Sequence, residues 1–92
     1  MTDTKHKTFI IGGISGGIGE TLARQWSAEG HQVIGFARDT EKLQALSERL
    51  PNAELHACDS TDPTALNALF QQISDTHGQM DAYVHAIGSI LN

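Results

Sequence analysis

Residues 7–12, KTFIIG, form a run of β-branched and aromatic side chains closed by glycine, the pattern of a short strand buried on both faces. The rhythm then changes. Ile18, Leu22 and Trp26 recur every four positions with Ala23 beside them, which predicts a helix from 18 to about 29 with that stripe on a sheet and Gly30 as its stop. HQVIGFA at 31–37 predicts a second strand. Asp39 or Thr40 can then cap a helix whose Leu43, Leu46 and Leu50 share one face, before Pro51 ends it. AELHACD at 53–59 alternates as a third strand, and Asp62 followed by Pro63 is a cap with proline at the first helical position. The third helix carries Leu66, Leu69, Phe70 and Ile73 inward and stops at Gly78, and MDAYVHAIG at 80–88 is the fourth strand.

Strands that alternate with helices through short connections imply right-handed crossovers and a parallel sheet, so the chain predicts a doubly wound α/β domain. At 92 residues it can build one modest core, burying roughly 60 to 65% of the surface exposed on unfolding. Its net charge of -5 argues against a nucleic-acid surface. All six basic residues lie between Lys5 and Arg49, so any anion has to be met in the first half of the chain. The one cysteine, Cys58, excludes an internal disulfide framework, fits a reducing compartment and reads as a buried, inert thiol. No apolar run reaches the ~18 residues of a membrane span and no signal-peptide pattern opens the chain, so no membrane partner and a cytoplasmic location are the expectations.

GGISGGIG, residues 12–19, places five glycines in eight positions between the first strand and the first helix. A strand that hands over to a helix in this way leaves the first helical N–H groups unpaired and lets another molecule approach them closely. The helix end adds roughly half a positive charge, so a pyrophosphate is the natural occupant. A flexible loop is the bland alternative, but the position after a strand, before a helix and inside a βαβ unit is the context a dinucleotide fingerprint requires.

Gly13, Gly17 and Gly19 read G-x-x-x-G-x-G, and here the chain resembles the short-chain dehydrogenase/reductase family, which opens with T-G-x-x-x-G-[I/L]-G; Gly12 stands in place of the threonine. The resemblance implies a partial Rossmann-type sheet of order 3-2-1-4, with two helices on one face and the third alone on the other. It implies that Gly13 makes the turn, that Ser15 and the N–H of Ile18 meet phosphate, and that Gly19 lets the helix pack on the strand. It also implies NADP rather than NAD as cofactor. Ala37 stands where NAD-preferring relatives carry an acid, and Arg38 follows with a fork of donors suited to a 2'-phosphate. Arg38 could otherwise be a surface arginine paired with Asp39 or Glu41, and Asp39, besides capping, could reach a ribose.

CDSTD, residues 58–62, resembles the family's D-V-[S/T]-[D/E] segment, which gives Asp59 the adenine amino group and puts Ser60 at the valine position; a turn role for Asp59 stays open. VHAIG, 84–88, stands where the family writes V-N-N-A-G, so only Gly88 is kept and the contact with the nicotinamide ribose passes to backbone groups of Ala86 and Ile87. The five histidines have no metal-ligand spacing, and His85 reads as a satisfied strand-end histidine.

The family's Y-x-x-x-K pair is not in these residues: four positions after Tyr83 comes Ile87, and no lysine follows Lys42. The expectation is therefore the N-terminal part of one NAD(P)-binding Rossmann domain, residues 1–92, with the catalytic part and its small-molecule substrate site outside it. The ending GSILN, without a closing helix, reads as cut, and the open edge of the fourth strand invites pairing with another chain. The rival reading is a non-catalytic nucleotide-sensing module built on the same half-fold.

Overall fold

The computed structural model describes residues 7–78 and 80–85. Four strands, β1 (Thr8–Gly12), β2 (Gln32–Ala37), β3 (Glu54–Ala57) and β4 (Ala82–His85), alternate with three helices, α1 (Gly17–Ala28), α2 (Thr40–Arg49) and α3 (Pro63–His77). The sheet is parallel in the order β3-β2-β1-β4, as the resemblance implies. Each element lies within a few residues of its predicted span.

Period-two alternation along the two central strands sorts their side chains between two cores. Ile11, Val33 and Ala37 face α1 and α2, joining Ala23, Leu43, Leu46 and Leu50, while Ile10, Ile34 and Phe36 face α3, joining Leu69 and Ile73. Trp26 lies flat on Phe9 at 4.2 Å between ring centres, so both belong to the first core. The first two helices cover one face and the third alone covers the other. On that second face a hollow of about 270 Å³ remains between Ile10, Phe70, Met80, Ala82 and Tyr83, with Met80 37% and Tyr83 42% exposed. No helix among the described residues is long and apolar enough to cross a membrane.

The predicted stripe on α1 needs one correction. Ile18 is 59% exposed; the buried line is Gly19 and Ala23, with Leu22 and Trp26 packed beside it. The reason is distance. A Cβ on Gly19 would sit 2.6 Å from the carbonyl oxygen of Gly13 and 2.8 Å from the Cα of Ile14, so glycine, rather than a large apolar side chain, faces the sheet at the first turn. Gly35 works the same way in β2: the space its missing side chain leaves is filled by Ile14, whose Cδ1 lies 2.1 Å from where a Cβ would stand.

Acidic residues of the second half do more than cap helices and face solvent. Asp62 caps α3 as expected, accepting from the N–H groups of Thr64 and Ala65. Asp81 accepts from the N–H of Thr8 at 2.7 Å. Glu54 on β3 joins two histidines, one oxygen 2.7 Å from His56 Nε2 and the other 2.9 Å from His77 Nε2 at the end of α3, which ties the edge strand to that helix. Burial pushes the Glu54 carboxyl up, but hydrogen bonds from His56 and His77, with their charges, outweigh it and hold the group below its ordinary value of 4.5.

Two outcomes follow for stability. Gly19→Ala should cost about 1–3 kcal/mol in urea unfolding, because backbone atoms must move, whereas Gly17→Ala, with nothing within 4 Å of the new methyl, should stay within about 0.5 kcal/mol of the parent. Because the Glu54 carboxyl is held low in the folded state, its contribution is present above the ordinary value of 4.5 and lost as pH falls through the lower folded value. Thermal melts should therefore show a steeper acid loss in the parent than in Glu54→Gln; matching slopes would contradict this assignment.

Candidate functional site

Parallel register brings the carboxyl ends of β1, β2 and β3 to one side of the sheet, with Gly12 opposite Phe36 and Ala37 opposite Ala57. The ladder continues past the strands. The N–H groups of Gly13 and Ile14 both donate to the Phe36 carbonyl, at 2.9 and 3.2 Å, and Cys58 N–H donates to the Ala37 carbonyl at 3.0 Å. These bonds fix three loops around a cleft of about 420 Å³, the region where ligands bind in open α/β sheets.

Gly13, with φ of 74°, turns the chain out of β1, and Gly16 N–H closes that turn onto the Gly13 carbonyl at 3.0 Å. α1 then starts at Gly16 with no side chain capping it. The other two helices differ: Asp39 accepts from the N–H groups of Glu41 and Lys42, as Asp62 does for α3. Among the described residues, α1 alone of the three has no side chain on its first N–H groups, and it starts beside an open space at Gly17.

Five of the expected residues, Gly13, Ser15, Arg38, Asp59 and Ser60, line the cleft together. Gly17, Ile18 and Gly19 form the first turn of α1 next to it and are not part of its wall. Ala86 and Gly88, with Ile87, lie outside the described residues. Gly12, the departure from the family's threonine, has a local cause: a Cβ there would come 2.8 Å from the Phe36 ring and 2.9 Å from the Tyr83 hydroxyl. A side chain at this position would require the tip of the Phe36 ring and the Tyr83 hydroxyl to shift.

The Arg38 side chain is 79% exposed over the cleft, and its guanidinium lies 3.9 Å from Asp59, a different partner from the Asp39 or Glu41 of the alternative reading. Asp59 makes the turn that was left open for it. One carboxylate oxygen accepts from the hydroxyl and the N–H of Thr61, at 2.7 and 2.9 Å, making the turn, while the other points toward Arg38. The Thr61 hydroxyl, then the Thr61 N–H, and last the Arg38 charge hold its carboxyl below the usual range against a small opposing effect of desolvation.

Sequence reasoning missed some of the wall. Cys58 is half-buried, packed against the second core on one side and lining the cleft on the other, which corrects the expectation of a buried thiol. Burial, then Asp59 and Asp62, push its thiol up. Lys42 also lines the cleft, and its signal was a cation in the first turn of a helix, where acids are favoured. Beyond the cleft, the Tyr83 hydroxyl bonds His85 Nδ1, so His85 is satisfied as expected, and burial, then Cys58, raise the phenol above its ordinary value. No group of three or more His, Cys, Asp or Glu gathers as a metal site among the described residues.

A family model described as enoyl-(acyl carrier protein) reductase matches residues 13–92. The chain belongs to the short-chain dehydrogenase/reductase family. Among the similar short-chain dehydrogenases/reductases, a "probable NADP-dependent dehydrogenase" of Dichelobacter nodosus is 40% identical over 83 residues, 89% of this chain and 78% of that protein. A short-chain dehydrogenase from Streptomyces avermitilis superposes with a TM-score of 0.84 at 32% identity, covering 91% of this chain and 31% of the other. A metagenomic short-chain oxidoreductase solved in complex with NADP gives 0.80 at 31% identity, covering 88% and 39%. The chain thus spans under two fifths of these two solved relatives.

The raised Cys58 thiol has a measurable consequence. Alkylation by iodoacetamide should be slow at neutral pH and should still be accelerating as pH passes the ordinary thiol value of 9.0. A rate that levels off well below that value would show a thiolate stabilised by the cleft instead.

Proposed function

We propose that this chain holds NADP(H) in the cleft, as the cofactor-binding portion of an oxidoreductase that moves hydride between the nicotinamide and a carbonyl or secondary alcohol. The observation that carries the reading is the uncapped start of α1 opening beside a cleft that has Arg38 on its rim and alanine, not an acid, at position 37. The residues fit the group. A pyrophosphate suits the free N–H groups of the first turn of α1 and the open space at Gly17, with Ser15 beside them. An adenosine suits the space between Arg38, Asp59 and Ser60, where a guanidinium can meet a 2'-phosphate with parallel donors.

When bound, NADP(H) supplies the hydride. This chain's own residues bind and orient the adenosine end, and no proton relay is assigned to them: the raised Tyr83 phenol is bonded to His85 and no lysine follows Lys42. The probable NADP-dependent Dichelobacter relative and the metagenomic relative in complex with NADP support NADP in preference to NAD.

Calorimetric titration with both dinucleotides tests the reading. The folded chain should favour NADP by tenfold or more, about 1.4 kcal/mol, and Arg38→Ala should lose that preference. Equal binding, or none, by a chain shown to be folded would refute it.

A further inference from the structure

Arg38 does not face the cleft mouth alone, and the charge balance there is the decisive feature. Four ionic groups line the cleft: Arg38, Asp39, Lys42 and Asp59. Asp39 is held in place as the cap of α2, accepting from Glu41 and Lys42 N–H, and Asp59 by Thr61. Without Lys42, one guanidinium would stand against two fixed carboxylates, and the wall would repel a phosphate monoester carrying about −1.5 to −2 charges at neutral pH. With Lys42 the wall is neutral before a ligand arrives.

Lys42 is also placed where its own helix disfavours it. It lies in the first turn of α2, at the positive end of the helix dipole. Among the described residues no carboxylate oxygen pairs with its ammonium within 4.0 Å, whereas Arg24, Arg38 and Arg49 each have such a partner. A cation set against the dipole, exposed and without a partner, breaks a local rule, and such breaks concentrate at functional positions.

We propose that Lys42 is the second cation of the adenosine 2'-phosphate subsite, a specificity-determining residue whose charge offsets the carboxylates around Arg38; this rests on the NADP reading above. Arg38 supplies the flat fork and Lys42, one helical turn further on at the start of α2, a mobile point charge, which needs no fixed geometry to act.

The test compares the parent, Lys42→Gln and Lys42→Arg by titration with four probes: NADP, NAD, adenosine 2',5'-bisphosphate and AMP. Lys42→Gln should weaken NADP and the bisphosphate by about fivefold to tenfold and leave NAD and AMP within about twofold, while Lys42→Arg keeps the parent's preference. Its side chain is exposed, so folding should be unchanged. If Lys42→Gln keeps the preference, or weakens all four probes alike, the Lys42 assignment is wrong and the NADP reading stands. A parent chain that does not favour the 2'-phosphate probes, through equal or absent binding, overturns both.

Discussion

Everything at the cleft depends on how closely α1 lies against the turn after β1. Contact between the Gly19 backbone and the Gly13 carbonyl brings the helix within a distance that no Cβ tolerates, and Ile14, fully buried, locks the same turn into the gap left by Gly35. These two glycines let one loop be at once a core element and a ligand-facing surface. If α1 moved outward by the width of a methyl group, its first turn would draw away from the cleft beside it, and Ile14 would lose its place between helix and sheet.

Packing thus determines electrostatics. α1 is held from its second half by Ala23, Leu22 and Trp26, so its first turn needs no cap to stay in register and can leave its donors to another molecule. α2 and α3 spend aspartates on their own starts. Among the described residues, the uncapped start therefore belongs only to the helix that begins beside the cleft. The cations come from β2 and α2, and the carboxylates beside them keep an otherwise basic rim near neutrality. On the proposed reading, discrimination between a 2'-hydroxyl and a 2'-phosphate would rest on that small charge difference, not on a deep pocket.

The strands and helices were legible because hydrophobic period and stop residues agreed: the Leu43, Leu46 and Leu50 face, Asp62 with Pro63, and Gly78 all stand where they were read, whereas the sheet order came from the family resemblance. That Gly13, Ser15, Arg38, Asp59 and Ser60 line one cleft was legible because parallel strands must bring their carboxyl ends together. Ile18 was misread because spacing alone cannot show that the helix is too close for a large side chain there. Gly35 was unreadable for the converse reason, since its role is to make room for Ile14. The Glu54 bridge joins residues 54 and 77, and Lys42 reaches the cleft from a helix whose other side is core; neither is a periodic signal.

An amide-resolved titration of the labelled chain with NADP tests the central claim most directly, that the uncapped start of α1 receives the pyrophosphate. The account predicts that the amides of Gly13, Ser15, Gly17, Ile18 and Gly19 shift together with those of Arg38 and Ser60 along one saturation curve. Shifts confined to Met80, Ala82 and Tyr83 on the opposite face, with the glycine amides unmoved, would contradict it.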